Sequence, residues 1–212
     1  PWKDGCLVGH GNDLLFLHDT DGDGKADKQE VFLTGFGIED SHLFPHQFTR
    51  GPDDWIYLAQ GAFNYSKVKG KDGRVVQFDQ TKMARVRPDG TGFEIACWGP
   101  NNIWGFVIDR HGEMFIQEAN DLGFPVMPFF IGANYPGIGM HKAKPYAPWQ
   151  PPLADFAMGG TGLSGLALSD DLDGFPPPYR DVMFVANPIT SHIQAIKIHR
   201  EGTGHRLELV PD

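Results

Sequence analysis

Gly105-Phe106-Val107-Ile108-Asp109-Arg110-His111-Gly112-Glu113-Met114-Phe115-Ile116 reads as a strand, a polar turn and a second strand. Apolar and β-branched residues flank Asp-Arg-His-Gly, and such a run bounded by turn formers specifies a hairpin. The chain says this three times. Phe48-Thr49-Arg50-Gly51-Pro52-Asp53-Asp54-Trp55-Ile56-Tyr57-Leu58 precedes it by about 57 residues. A looser copy, Gly165-Leu166-Ala167-Leu168-Ser169-Asp170, follows at about 61 and reaches Val182-Met183-Phe184-Val185 after an insertion. Further hairpins lie between them: Met83 to Ile95 turns at Pro88-Asp89-Gly90-Thr91-Gly92, and Ile193–Ile198 is followed by Arg206–Val210. Four strands per repeat, at this period, is the plan of a β-propeller blade. The expected fold is therefore all-β, a propeller of four-stranded blades, with a β-sandwich as the rival. The expected parts are a hairpin at 13–35, a blade at 46–97, a blade with a long insertion at 103–158 and a blade at 164–210. A closed propeller takes at least about four blades, and two or three full blades plus a partial one are legible here, so the chain reads as a fragment or as closed by chain not shown. Its blade edges would pair with the remaining blades or with another chain.

Composition agrees. The 212 residues hold 27 Gly and 17 Pro, which suits many turns, and no long amphipathic helix stands out. Eighteen Lys and Arg against 27 Asp and Glu give a net charge of −9, which argues against a nucleic-acid partner. No run of eighteen apolar residues exists, so no membrane-spanning helix is expected. The first residues, Pro1-Trp2, read as those of a processed chain or a piece of a longer one. Cys6 and Cys97 form neither CxxC nor CxxCH, and the sequence leaves open whether they pair.

Chemistry enters at Asp19-Thr20-Asp21-Gly22-Asp23-Gly24-Lys25-Ala26-Asp27-Lys28-Gln29-Glu30. Asp19, Asp21, Asp23, the Lys25 carbonyl, Asp27 and Glu30 stand at the oxygen-donor positions of a twelve-residue calcium loop, with Gly24 at the turn. Leu14-Leu15-Phe16-Leu17 and Val31-Phe32-Leu33 flank it as strands, so this loop joins a hairpin instead of two helices. A solvated acidic turn without metal is the alternative. The Gly-, Pro- and aromatic-rich stretch from Asn120 to Ala157 breaks the repeat and reads as an insertion over one face. Trp55, Trp98, Trp104 and Trp149 read as blade packing. Asn64-Tyr65-Ser66 is a glycosylation sequon by pattern only.

Several words together carry a family resemblance: Asp13–Leu17, Asp19–Asp27, Leu33–Gly37, Asp40-Ser41-His42, Gly51-Pro52-Asp53, Asn102-Ile103-Trp104-Gly105, Ser164–Ala167 and Phe175–Ala186. Their order and spacing resemble the glucose/sorbosone dehydrogenase-like propellers, in particular the bacterial membrane-bound dehydrogenase domain branch. The resemblance implies a six-bladed propeller of which this chain is about half, a periplasmic or secreted setting, calcium, pyrroloquinoline quinone, and oxidation of a sugar or polyol. It implies a histidine general base before the first Gly-Pro-Asp strand: His42, with Asp40 to orient it, or His46 as the rival. It also implies a c-type cytochrome as electron acceptor, and cofactor, metal or substrate contacts near Asn101, Asn102, Glu118 and Asn120. The chain departs from the pattern where quinone-binding relatives carry cations. Asn101-Asn102-Ile103 replaces Arg-Asn-Pro, and Ile189 and Thr190 align with a lysine and an arginine. The opposing reading is a non-catalytic, calcium-stiffened propeller that acts as a binding or assembly module.

Overall fold

The computed structural model describes residues 1–119, 126–140, 162–170 and 174–211. Strands and tight turns make up these residues, with two short 3₁₀ turns at Ser41–Leu43 and Pro177–Tyr179 and no α-helix among them. No helix among them is long and apolar enough to cross a membrane. The chain divides into two compact units, Pro1–Ala96 and Cys97–Asp212.

The first unit opens with β1 (Gly5–His10), β2 (Asp13–His18) and β3 (Lys28–Thr34), an antiparallel meander with the acidic loop between β2 and β3. Next come β4 (His46–Arg50) and β5 (Ile56–Gln60), which pair across the Gly51–Trp55 turn. The hairpin of β6 (Tyr65–Lys69) and β7 (Val75–Asp79) leaves that sheet and joins β3 edge to edge through Thr34 and Lys69. The chain then returns as β8 (Lys82–Val86) and β9 (Glu94–Trp98) to complete the order β4-β5-β8-β9. This four-stranded sheet runs from His46 to Trp98, with an extra hairpin extruded between its second and third strands. Leu14, Phe16, Phe32, Leu33, Ile56, Leu58, Val68, Val86 and Phe93 form the core of the unit. Each large apolar side chain so buried contributes about 1.5–3 kcal/mol.

In the second unit β10 (Ile103–Ile108), β11 (Met114–Glu118) and β12 (Val126–Pro128) form one sheet. β13 (Ser164–Ser169), β14 (Val182–Asn187), β15 (His192–Glu201) and β16 (Gly204–Leu209) form a four-stranded meander. β10 and β13 lie side by side, close enough that a Cβ on Gly105 would meet Leu166. Phe115, Val126, Met183, Val185 and Ile196 fill the core between them. Most of the expected insertion, including Asn120, lies outside the described residues; β12 belongs to it.

The repeat read from sequence has a conformational signature. The first-to-second-strand turns carry left-handed residues at Asp54 (φ 64°), Gly112 (φ 81°) and Asp181 (φ 55°). Asp and Gly tolerate that region better than most residues, which explains the turn chemistry at these places. Each first strand also bulges near its start, between His46 and Thr49, Ile103 and Gly105, and Ser164 and Leu166. A bulge turns the local backbone and re-aims the side chains around it.

Candidate functional site

Two groups of sequence-expected residues lie in the first unit. One is the acidic loop. Asp19, Asp21 and Asp27 bring carboxylate oxygens within 4.8 Å of one another. Asp19 fixes the loop: its Oδ1 accepts from the N–H groups of Gly22 (2.7 Å) and Asp23 (3.1 Å), and its Oδ2 from that of Gly24 (2.9 Å). Asp23 accepts from the Lys25 N–H, and Asp27 from the N–H and hydroxyl of Thr20. An all-oxygen, solvent-facing set of this kind fits a hard cation such as calcium. Glu30 sits on β3 and pairs with Lys71 at 2.9 Å, a contact made possible by the extruded hairpin. The Lys71 hydrogen bond outweighs partial burial and holds the Glu30 carboxyl below its ordinary range.

The second group is the turn before β4. Asp40 caps the 3₁₀ turn Ser41–Leu43 by accepting the His42 N–H at 3.0 Å. The same carboxylate oxygen lies 3.1 Å from His42 Nδ1. An ionised carboxylate only accepts, so the proton of the neutral ring sits on Nδ1 and the lone pair on Nε2. The His42 side chain is 87% exposed, which presents that lone pair to solvent. His46 is set differently: its Nδ1 lies 2.5 Å from the Phe44 carbonyl, and the ring is half-buried on the bulged start of β4. His42 has the orienting carboxylate expected of a base.

The second unit holds the remaining sequence-expected positions. Asn102 and Glu118 come together where β10 starts and β11 ends. The Asn102 carbonyl accepts from the Ala119 N–H at 3.0 Å, and Ile103 faces Glu118 across the ladder. Glu118 is fully buried. Asn101 is buried too, and its Oδ1 accepts from the Ile138 N–H at 2.8 Å. Ile189 and Thr190 are exposed on a turn where the Asn187 Oδ1 accepts both their N–H groups.

Sequence reasoning passed over Asn64 except as a sequon. It is fully buried against the Asp40–Leu43 turn. A burial signal was present, since it lies between two apolar runs, but nothing local shows what it would bond. Lys71, the partner of Glu30, stands 41 residues away and left no signal at all.

Known proteins can now be set beside this geometry. The family model described as a domain of unknown function, DUF7133, matches residues 1–208. The chain belongs to the DUF7133 family. No curated protein matches it. Among solved structures, the DUF7133 chain is similar to the pyrroloquinoline quinone-bound aldose sugar dehydrogenase of Streptomyces coelicolor. The match has a TM-score of 0.54 and 16% identity, covering 99% of this chain and 68% of that one. A second similar structure is a protein of Thermus thermophilus described as a putative oxidoreductase (glucose dehydrogenase). Here the TM-score is 0.46 and the identity 15%, covering 97% of this chain and 80% of that one. At such identities the likeness is one of fold. The Streptomyces match agrees with the sheets of the DUF7133 chain, which are propeller blades.

Whether the residues of the second unit fit pyrroloquinoline quinone is a question of charge. The quinone is a trianion, and such a group needs cationic or multiple N–H partners when it leaves water. Asn101 turns a committed oxygen acceptor to its neighbours, Asn187 does the same, Glu118 adds a buried carboxylate, and Ile189 and Thr190 bring no charge. The side chains at these positions bring no cation to the trianion, and the amide Nδ2 groups of Asn101 and Asn187 are their N–H donors.

Proposed function

We propose that the chain is the base-bearing part of an oxidoreductase propeller that acts on a hydroxyl of a sugar or polyol. The observation that carries this reading is the Asp40–His42 pair, with the carboxylate 3.1 Å from Nδ1 and the ring 87% exposed, a geometry in which an ionised Asp40 holds the proton of the neutral ring on Nδ1. Alcohol oxidation removes a proton from oxygen as hydride passes from carbon to a two-electron redox acceptor, and an imidazole held in one tautomer suits the first half of that event at neutral pH. Asp40 orients the ring and stabilises the imidazolium that forms. His46 is the second candidate base. Support also comes from the fold shared with an aldose sugar dehydrogenase. The residues of the second unit bring no cation for a trianionic quinone, so the redox acceptor is a group that these side chains do not select. Calcium is proposed for the loop of Asp19, Asp21, Asp23, Lys25, Asp27 and Glu30, where it would neutralise carboxylates and stiffen the β2–β3 hairpin. So exposed a site suits a periplasmic or secreted setting, where weakly held calcium stays bound.

The test is a mass and absorption analysis of the protein purified from its native source, followed by sugar oxidation assays on it and on His42→Ala. The reading expects sugar-dependent reduction of a bound or added acceptor. His42→Ala should lower kcat about 10²–10⁴-fold, as loss of a general base does. A protein that carries only calcium, takes up no redox cofactor and oxidises no sugar would instead be a binding module.

A further inference from the structure

His42 is exposed, yet the turn that carries it is held from beneath by a residue that never touches it. Asn64 lies in the connection between β5 and β6 and is 0% exposed. Its Oδ1 accepts from the Asp40 N–H at 2.8 Å. Its Nδ2 donates to the carbonyls of Asp40 (3.2 Å) and Leu43 (2.8 Å). One acceptor and two donors are thus all spent on the residues just before and just after Ser41-His42. Swapping the amide oxygen and nitrogen would set a donor against an N–H and an acceptor against two carbonyls, so the orientation is fixed by its partners. The Asn64 backbone is fastened in turn: its carbonyl accepts from Gln60 Nε2 at 3.0 Å and from the Gln80 N–H at 2.9 Å. Leu43 is buried beside Gly61, where any Cβ would collide with its side chain.

We propose that Asn64 is a positioning residue that sets the tautomer of His42 by clamping the Asp40–Leu43 turn. This rests on the reading of His42 as the base. A buried amide is costly unless all its polar groups are met. Here they are met by the backbone of the turn whose geometry brings the Asp40 carboxylate to His42 Nδ1. Loosening the turn lets Asp40 and His42 part, and the ring then samples both tautomers, with the proton on Nε2 for part of the time. A ring protonated at Nε2 cannot accept a substrate proton there.

Ser66 offers the control. Its hydroxyl accepts from the Gly37 N–H at 2.8 Å and bonds Gln60, so it anchors the same loop three residues before Asp40 and reaches the clamp only at second hand, through Gln60. Ring ¹⁵N spectra of the whole chain, with the His42 signal assigned by its loss in His42→Gln, read the tautomer directly and need no substrate. The expected results are an Nδ1–H ring in the wild type, a mixture in Asn64→Leu, and a wild-type ring in Ser66→Ala despite a lower Tm. An Asn64→Leu protein with β5 and β8 amides still protected and an unchanged His42 ring would overturn the proposal. Should Asn64→Leu not fold, Asn64→Gln moves the amide by one methylene; a displaced tautomer supports the clamp and an unchanged one sinks it. Where turnover is measured, Asn64→Leu should lower kcat about tenfold with KM for the sugar unchanged, less than the roughly 10²–10⁴-fold loss of removing the base itself. Absent turnover, or a His42→Ala protein as active as wild type, would end the base reading and leave the tautomer result standing on its own.

Discussion

The loop Asp19–Asp27 and the turn Asp109–Glu113 both gather carboxylates at a hairpin, and they neutralise them in opposite ways. In the turn, the chain supplies the cations. Asp109 is buried and accepts the N–H groups of His111 (2.9 Å) and Glu113 (2.8 Å), while its other oxygen meets Arg200. Glu113 bridges Arg200 Nε at 2.6 Å and His205 Nε2 at 2.8 Å. The β10–β11 turn is thereby tied to the β15–β16 hairpin. In the loop, backbone N–H groups hold the acids in place, but the cationic partner there, Lys25 Nζ, is highly exposed and 3.8 Å from Asp23. One region is finished by its own arginine and histidine; the other leaves three carboxylates facing one another. The lesson is that the same residue type reads as a tertiary tie in one place and as a ligand set in the other, according to what lies opposite.

Four measurements would break or sharpen that contrast. The largest effect is expected at the tie. Asp109→Ala removes a buried carboxylate and strands two N–H groups and Arg200, and should cost about 3 kcal/mol in a denaturant melt with or without calcium. A calcium-dependent cost would show that the two regions are not distinct. Next, calcium at about 100 times its Kd should stabilise the wild type by about 2.7 kcal/mol, raising Tm, with chelation reversing it. Asp19→Ala should abolish that response and Asp109→Ala should leave it intact. The third effect depends on pH. Burial pushes the Glu113 carboxyl up, but its bonds to Arg200 and His205 outweigh this and hold it below its ordinary value of 4.5. A depressed carboxyl contributes stability that is present above its unfolded value and lost as pH falls through the folded one. Wild type should therefore lose stability below about pH 4.5 more steeply than Glu113→Gln, as pH-dependent melts would show. The smallest effect is at Lys71. Its pair with Glu30 is exposed, so Lys71→Ala should move stability by no more than about 0.5 kcal/mol. Yet it releases the carboxylate at the twelfth loop position, and a calcium titration should show tighter binding.

Much of the fold was legible because local pattern and turn chemistry agreed. The hairpins at Leu14–Leu33, Phe48–Leu58, Gly105–Ile116, Met83–Ile95 and Ile193–Val210 each became paired strands. Alternation of apolar side chains and a Gly or Asp in the left-handed region act within a dozen residues, so sequence displays them. The β6–β7 hairpin was passed over, although Lys69-Gly70-Lys71-Asp72-Gly73 is turn-like and Val68 and Phe78 are buried. Its strands carry Lys67, Lys69 and Gln77 between the apolar residues, a pattern weak enough to pass for a loop. That it leaves its own sheet to meet β3 depends on Thr34 finding Lys69, which no local rule announces.

The candidate site divides along the same line. The blade plan, the spacing of the acidic loop and the presence of Asp40 two residues before His42 are all written along the chain, since each rests on near neighbours. Only the tertiary structure decided that Asn64 locks the His42 turn, that Lys71 draws Glu30 aside and that Arg200 and His205 silence the acids of the Asp109 turn. Those decisions belong to partners 21 to 92 residues apart. A hydrogen bond or ion pair forms only within about 3 Å, and what comes that close across such separations is set by how strands pair and pack.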